Sequence, residues 1–315
     1  MTRSVPLSAD ALLADVLEGM GRTPKSLPCK YLYDARGSHL FDRITELEEY
    51  YPTATELAIM EAHFDEIVAC LGPRCLLLEY GSGSSLKTRL LLDRMPEPAG
   101  YVAIDISEEH LNASMRHLQE MYPHIPMRAV PADYTASFAV PSNGFDAART
   151  VVYFPGSTIG NFEPHEAHAF LARMVRAAGP GGGLLIGVDL EKDRATVEAA
   201  YNDAQGVTAA FNKNLLRRMN RELGATFDPE TFRHRAIYNL EEGRIEMSLV
   251  SACDQTVRVN GHHIRFEEGE PICVEYSYKF TLERFQGLAE RAGFAVRNVW
   301  MDADRLFSVQ YLTVL

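Results

Sequence analysis

Short apolar segments alternate with longer amphipathic segments through the middle of the chain. The apolar segments lie at residues 75–80, 101–107, 127–135, 149–162 and 184–190. Most are followed by a stretch in which apolar residues recur every three or four positions, which is the spacing of one helix face. Short buried strands separated by helices are typical of a doubly wound parallel sheet. The pattern therefore predicts the α/β fold class.

The pattern changes after Asp189. Residues 195–224 have helical spacing over a length that suggests two helices, and residues 233–280 have the alternation of an antiparallel meander. Glu241–Gly243 and Asn260-Gly261 are its hairpin signals. A helix at 282–294 and strands at 296–302 and 307–315 follow, so an inserted α+β domain is predicted to interrupt the sheet domain.

The first fifty residues are less regular. They predict a loop around Pro28, a turn at Arg36-Gly37, a short helix and a break at Tyr51-Pro52. One helix is predicted at 56–72, ending at Gly72. We expect three parts: an N-terminal segment (1–54) packing with the substrate domain, a sheet domain (55–195 and 281–315), and a substrate-binding insertion (196–280).

Composition and charge exclude several classes of protein. Of the 315 residues, 46% are hydrophobic and 23% are charged, which is ordinary for a folded globular protein. The formal net charge of −12 and the lack of a basic run disfavour nucleic-acid or anionic-membrane partners. Five cysteines without a CxxC pair, no apolar signal segment and no membrane-length apolar run predict a cytoplasmic protein. We also expect a monomer.

The segment Glu79-Tyr80-Gly81-Ser82-Gly83-Ser84-Ser85 follows the first apolar strand. Leu86 stands where a dinucleotide fingerprint needs its third glycine, and Lys87-Thr88 lacks the glycine that precedes a P-loop lysine. Two interpretations remain open. The segment is a nucleoside-binding turn at a helix N-terminus, or a turn with only a structural role.

Carboxylates follow the next two strands. Asp105 ends the second strand, where open α/β sheets bind ligands, and it can accept hydrogen bonds from ribose hydroxyls. Its alternative role is as the cap of the next helix, although Ser107 suits that position. Asp133 ends the third strand and can accept from an adenine amine, with Tyr134 beside the base. This layout is typical of S-adenosylmethionine-dependent methyltransferases.

The fourth strand leads to Asn161, at the edge that faces the methyl donor in such folds. An Asn carboxamide can accept from an amine while donating to a carboxylate. The alternative is that Asn161 caps the helix beginning at Pro164. In that helix, His165 and His168 lack the spacing of a zinc motif, so we predict no metal site.

Five ordered segments resemble the histidine Nα-methyltransferases of ergothioneine biosynthesis. They are YLYDARGS at 31–38, ITELEEYYPT at 44–53, LEYGSGSS at 78–85, STIGNF at 157–162 and AYNDAQGVTAAFN at 200–212. The resemblance runs from about residue 25 to the C-terminus. It implies a Rossmann-like class I methyltransferase sheet of seven strands, the last of them antiparallel, and S-adenosyl-L-methionine as the donor.

The resemblance also implies roles for individual residues. At the donor site the matching positions are Gly81, Lys87, Asp105, Asp133 and Tyr134. At the amino-acid site they are Tyr50, Asn161, Tyr201, Met247, Glu275 and Ser277, with Tyr33 lining the pocket. Tyr33 and Asn161 are expected to act at the reacting amine. The implied reaction is threefold methylation of the α-amino group of free L-histidine, which gives trimethylhistidine (hercynine).

Residue chemistry agrees with an imidazole pocket. Glu275 and Ser277 lie two apart on one predicted strand, so both can face one ligand. Tyr276 and Tyr278 stand where smaller residues are expected, but they should point to the other face. Two rival functions remain: methylation of another free amino acid such as tryptophan, and a silent S-adenosylmethionine-binding domain.

Overall fold

The structure is a computed structural model that describes residues 9–83, 86–136 and 144–315. Its helices are α1 Ala9–Met20, α2 Ala35–Thr45, α3 Tyr51–Ala62, α4 Phe64–Leu71, α5 Leu86–Leu92, α6 Glu108–Met121, α7 Pro164–Ala178, α8 Arg194–Tyr201, α9 Val207–Leu223 and α10 Leu282–Ala292. Its strands are β1 Lys25–Ser26, β2 Cys75–Tyr80, β3 Gly100–Asp105, β4 Met127–Pro131, β5 Arg149–Phe154, β6 Gly183–Asp189, β7 Phe232–Asn239, β8 Arg244–Ser251, β9 Gln255–Val259, β10 His262–Phe266, β11 Pro271–Tyr278, β12 Phe294–Met301 and β13 Phe307–Val314.

Seven strands form the larger sheet in the order β12-β13-β6-β5-β2-β3-β4. The strands β4, β3, β2, β5 and β6 are parallel, and β13 runs antiparallel to both of its neighbours, β6 and β12. The order reverses between β2 and β5, which is where open α/β sheets bind ligands at the carboxyl ends of their strands. The predicted fold class, with its antiparallel closing strand, is confirmed.

The chain divides into two compact units. The larger unit contains Pro52–Lys192 and Tyr278–Leu315, with the seven-stranded sheet. The smaller unit contains the described residues up to Tyr51 together with Asp193–Ser277. Each unit has its own buried apolar core, so each satisfies the basic requirement for a domain.

The smaller unit is built on a four-stranded sheet with the order β1-β11-β8-β7. β7 and β8 form an antiparallel hairpin with Ala236 opposite Met247, and the two-residue β1 pairs in parallel with β11. α9 contributes Phe211, Leu215 and Leu216 to the core of this unit.

Two expectations for the N-terminal region are wrong. Arg36-Gly37 lies inside α2, because Asp34 caps that helix by accepting the Gly37 amide at 2.8 Å. The single helix at 56–72 is two helices, α3 and α4, that meet at His63, and α3 begins at Tyr51, five residues earlier than predicted. Gly72 does end α4, with a positive φ of 73°.

The prediction of a single meander is also wrong. β9 and β10 form a separate hairpin, and β11 lies between β8 and β1, a strand that was not predicted. Alternation along each strand identified the strands but not their partners, because pairing depends on which apolar faces meet in the folded unit. The predicted turn at Asn260-Gly261 is present, with φ values of 43° and 84°.

Candidate functional site

The glycine-rich turn follows β2 at the carboxyl edge of the larger sheet. Gly81 and Gly83 have φ values of 73° and 47°, which favour glycine. The Gly81 amide donates to the Ile104 carbonyl at 2.8 Å, so the turn is tied to β3. A Cβ at Gly81 would lie 3.7 Å from the Tyr134 hydroxyl. Ser84 and Ser85, the last two residues of the predicted segment, lie outside the described residues.

Asp105 connects this turn to the start of α6. Its Oδ2 accepts the Gly83 amide at 3.3 Å and its Oδ1 accepts the Ser107 amide at 2.9 Å. Ser107 occupies the N-cap position, but its side chain makes no capping hydrogen bond, contrary to expectation. Burial raises the pKa of Asp105, against the lowering effect of these amides. The carboxylate thus has a structural role as well as the position predicted for a ribose ligand.

Glu79, the acidic residue of the turn motif, points into the protein. It is buried on β2 and accepts from the Thr88 hydroxyl on α5 at 2.6 Å and from the Tyr101 hydroxyl on β3. Burial raises its pKa to about 8, against the lowering effect of these two hydroxyls. Glu79 therefore ties α5 and β3 to β2 by side-chain hydrogen bonds.

Asp133 and Tyr134 follow β4, which pairs with β3 so that Pro131 lies opposite Asp105. Asp133 accepts from the amide of Thr135, at 2.9 Å, and from its hydroxyl. Tyr134 belongs to an aromatic cluster with ring centroids 5.8–6.3 Å from its own, formed by Tyr80, Phe154 and Phe170. The cluster holds the Tyr134 ring beside Gly81, at the carboxyl ends of β2 and β5.

Lys87, on α5, forms an ion pair with Glu56 of α3. Sequence reasoning missed Glu56, which is fully buried and also accepts the Gly156 amide. A signal was present, because Glu56 shares its helix face with Ile59 and Met60 at positions i+3 and i+4. A buried carboxylate on the apolar face of a helix needs a partner, and Glu56 has both the Lys87 ammonium and the Gly156 amide.

Asn161 ends a short 3-10 turn, Thr158–Asn161, that follows β5. The turn is anchored by Ser157, which has a φ of 55° and whose Oγ accepts the Asp189 amide at 2.9 Å. Glu163, and not Asn161, occupies the N-cap of α7. The capping alternative for Asn161 is therefore wrong.

Gly160 allows this turn to approach the backbone of β11. A Cβ at Gly160 would lie 2.6 Å from the Tyr278 carbonyl oxygen, closer than real contacts allow. We expect Gly160→Ala to lower the free energy of unfolding by about 2 kcal/mol, because the backbone must shift. Urea denaturation measures this loss. Gly287→Ala, in α10, is the matched control, since its nearest atom there is a flexible Arg291 nitrogen at 3.4 Å. Equal stability of the two variants would contradict the prediction.

In the smaller unit, Tyr201 and Ser277 are joined by a hydrogen bond of 2.9 Å between their hydroxyls. Glu275 lies two residues before Ser277 on β11, and both side chains are buried. Tyr276, between them, instead contacts Arg244, whose guanidinium carbon is 3.8 Å from the ring centroid. Ser277 and Glu275 thus place a hydroxyl and a carboxylate on one strand next to Tyr201.

The predicted tyrosines lie in an aromatic group of the same unit. Tyr33 makes edge-to-face contacts with Phe41 and Phe211 at 5.6 and 5.4 Å between centroids. Tyr50 makes such contacts with Phe41 at 6.3 Å and Tyr201 at 6.0 Å. The structure therefore brings Tyr33, Tyr50 and Tyr201 into one connected group of rings. Met247, on β8, is buried in the core of this unit.

A second polar contact supports Tyr201 and was not anticipated. His234 Nε2 lies 2.8 Å from the Tyr201 carbonyl oxygen, and its Nδ1 lies 2.9 Å from Nδ2 of the buried Asn212. Since a carbonyl only accepts, Nε2 carries the hydrogen and Nδ1 accepts from Asn212. Burial lowers the pKa of His234, against the raising effect of the Tyr201 carbonyl, which favours this neutral form. Asn212 is the last residue of the family-like segment at 200–212, and no other feature of the sequence pointed to it.

The predicted site residues therefore form two groups. Gly81, Lys87, Asp105, Asp133, Tyr134 and Asn161 belong to the larger unit, and Tyr33, Tyr50, Tyr201, Met247, Glu275 and Ser277 belong to the smaller one. Within the described residues, no cluster of three or more His, Cys, Asp or Glu side chains is placed to hold a metal ion. None of the described helices has the length and apolar character needed to cross a membrane.

The chain matches a family model described as histidine-specific, SAM-dependent methyltransferase over residues 12–314. It belongs to this family. The family assignment confirms the resemblance inferred from the five sequence segments. It also agrees with the strand order of the larger sheet, in which an antiparallel strand is inserted next to the edge.

This methyltransferase is similar to two proteins named for histidine methylation and to one named for ergothioneine biosynthesis. It is 42% identical over 301 residues to the histidine N-alpha-methyltransferase of Mycolicibacterium smegmatis, covering 94% of this chain and 92% of that protein. It is 40% identical to the enzyme of the same name from Mycobacterium tuberculosis, covering 93% and 91%. It is 32% identical to ergothioneine biosynthesis protein 1 of Neurospora crassa, covering 88% of this chain and 32% of that protein.

Proposed function

We propose that this methyltransferase transfers three methyl groups in succession from S-adenosyl-L-methionine to the α-amino group of free L-histidine. The product would be hercynine, the first intermediate on the way to ergothioneine. The observation that carries the proposal is the near full-length match to a histidine-specific, SAM-dependent family and to relatives named for methylation of this nitrogen.

For the methyl donor, the proposed ligands are Gly81, Lys87, Asp105, Asp133 and Tyr134. Asp105 would accept from the ribose hydroxyls, and Asp133 would accept from the adenine amine, with Tyr134 beside the base. This assignment is supported by the position of these residues after β2, β3 and β4. It is also supported by Gly81, whose positive φ favours glycine and whose lack of a side chain leaves the backbone open to a ligand. Lys87 would pair with the methionine carboxylate, which is the only anionic group of the donor.

For histidine, Glu275 would accept from one imidazole N–H and Ser277 would hydrogen-bond the other ring nitrogen. Met247 would line the pocket. Tyr201 and Asn161 would hold the substrate carboxylate, and Asn161 would also orient the α-amine. The bond between the Tyr201 and Ser277 hydroxyls supports the assignment, because it holds two of these side chains in place before any ligand binds. Pockets built to pair buried polar groups reject analogues that leave them unpaired.

The chemical step is an in-line displacement in which the neutral amine attacks the sulfonium methyl carbon. The C–N bond forms as the C–S bond breaks, and S-adenosylhomocysteine leaves with the electron pair. Before this attack, the α-ammonium group loses a proton, and we assign water as the acceptor of that proton. The chain contributes mainly alignment. Tyr33 and Tyr50 would shape the space in which the methylated amine turns, and their rings favour methylammonium cations.

The proposal is tested by mass spectrometry of the protein incubated with S-adenosylmethionine and an equal mixture of the twenty free amino acids. We expect only histidine to gain mass, ending at three added methyl groups. A shift of tryptophan or another amino acid instead would retain the donor site but reject the histidine pocket. Donor binding without any methylated product would favour a silent S-adenosylmethionine-binding domain.

We further propose that the protein works as a cytoplasmic monomer without nucleic-acid or membrane partners. The net charge of −12 and the absence of a CxxC pair among its five cysteines support this proposal. Sedimentation of the purified protein tests the oligomeric state, and a mass of twice 35.2 kDa would reject the monomer.

A further inference from the structure

Glu56 is a charged side chain that is almost completely buried, and none of the roles above uses it. It lies on α3 and has two kinds of partner. Its Oε2 accepts the Gly156 amide at 2.9 Å and also receives the Lys87 ammonium. A buried carboxylate needs such partners because burial without them is very costly. The cost of placing a charge here suggests that it has a role beyond packing.

Two glycines make the space in which the Glu56 carboxylate lies. A Cβ at Gly187, on β6, would be 2.1 Å from Glu56 Oε1, so only glycine leaves room for that oxygen. Gly156 has a φ of 75°, and its amide points at the carboxylate. α3, α5, β6 and the turn after β5 therefore each contribute one feature to a single pocket for this carboxylate.

The Lys87 end of this arrangement is the part that can reach a ligand. Lys87 keeps 14% of its side chain exposed, against 1% for Glu56, and a Cβ at Gly156 would lie 3.8 Å from its Nζ. Lysine has a flexible stem, so an unpaired Lys87 would have to be ordered each time an anion binds. The pairing with Glu56 orders it beforehand and reduces that cost.

We propose that Glu56 is a positioning residue for the methyl donor, holding the Lys87 ammonium where it pairs with the donor's methionine carboxylate. The inference rests on the proposed function, in which Lys87 is a donor ligand. Through the Gly156 amide, the same carboxylate also fixes the start of the turn that ends at Asn161. Glu56 would thus link the residue that anchors the donor to the turn that carries Asn161.

The test compares two ligands that differ at the methionine end. S-adenosylhomocysteine carries the carboxylate, and 5′-methylthioadenosine keeps the nucleoside and sulfur but lacks it. For Glu56→Gln we expect S-adenosylhomocysteine affinity, measured by calorimetry, to fall about 5- to 10-fold, because a neutral acceptor holds an ammonium less strongly than a carboxylate does. Affinity for 5′-methylthioadenosine should stay the same. A general disturbance of the pocket would weaken both ligands.

Lys87→Met and the double variant provide a second readout. If Glu56 acts through Lys87, Lys87→Met should lower S-adenosylhomocysteine affinity at least as much, and adding Glu56→Gln should lower it no further. Gly187→Ala, which displaces the carboxylate without touching its charge, should have the same ligand-selective effect.

Unchanged or tighter S-adenosylhomocysteine binding by Glu56→Gln, or equal loss for both ligands, would overturn the inference. Because these measurements need no histidine, a wrong amino-acid substrate would leave the test intact. A wild-type protein that binds neither ligand would reject both the proposed function and this inference.

Discussion

Asp105→Ala is expected to weaken S-adenosylhomocysteine binding by about 100-fold. In the proposed role the carboxylate accepts from both ribose hydroxyls, and hydrogen bonds to a charged group are stronger than neutral ones. The variant also loses the acceptor for the Gly83 amide of the glycine-rich turn and for the Ser107 amide at the start of α6, so each of these segments loses one anchor. Calorimetric titration of the purified variant measures the loss.

Asp105→Asn and Glu109→Gln separate the causes. Asparagine retains one oxygen acceptor and should show an intermediate loss. Glu109→Gln makes the same change of net charge on an exposed turn of α6 and should leave affinity unchanged. If Asp105→Ala binds as well as the wild type, the ribose assignment is wrong.

The affinity of the wild type should also depend on pH through Asp105. Burial raises the pKa of Asp105, so its carboxylate gains a proton at a higher pH than an exposed aspartate does. The protonated form is the weaker acceptor, and affinity should therefore fall as the pH is lowered through that pKa. Asp105→Asn cannot titrate and should lack this part of the dependence.

Glu275→Ala is expected to lower kcat/KM for histidine by about 100-fold, mainly through KM. The buried carboxylate in the proposed pocket accepts from an imidazole N–H, and its removal leaves that group unpaired in the bound state. In the mixture of twenty amino acids, the preference for histidine should weaken at the same time. Initial rates at varied histidine concentration, with saturating donor, give the two parameters.

Tyr276→Phe is the matched control because it alters the next residue of the same strand. The phenylalanine ring retains the contact with the Arg244 guanidinium, and the side chain lies next to Glu275 in sequence but contacts a different partner. We expect its selectivity for histidine to equal that of the wild type. Equal damage from the two substitutions would point to loss of strand β11 rather than loss of a histidine ligand.

The sheet of the larger unit was predictable because its signals are local. The strands β2, β3 and β6 are short runs that are apolar or buried along nearly their whole length, and each is bounded by helical spacing or glycines. The glycine-rich turn and Asp105 were recognised for the same reason, since each follows such a strand directly. The turn predicted at Arg36-Gly37 was wrong for a different local reason. Arg-Gly occurs both in turns and inside helices, so the dipeptide alone does not distinguish the two.

Polar groups that act through distant partners were not predictable. Glu56 is 31 residues from Lys87 and 100 from Gly156, and His234 is 33 residues from Tyr201. Periodicity can indicate that Glu56 is buried, because this residue lies on the apolar face of its helix, but it does not give the partners of Glu56 or His234. Those partners are set only where strands and helices from separate parts of the chain converge.

The sequence by itself therefore determined the α/β class, the interrupted sheet domain, the family and most of the candidate site residues. These follow from hydrophobic periodicity and from ordered motifs, which are properties of short segments. Only the tertiary structure decided that β9 and β10 leave the meander, that Glu79 points inward, and that Glu56 and His234 support Lys87 and Tyr201. The physical reason is that strand pairing depends on which apolar faces meet, and buried polar contacts depend on which partners satisfy a buried charge or hydrogen-bonding group. Both conditions are set by the whole fold.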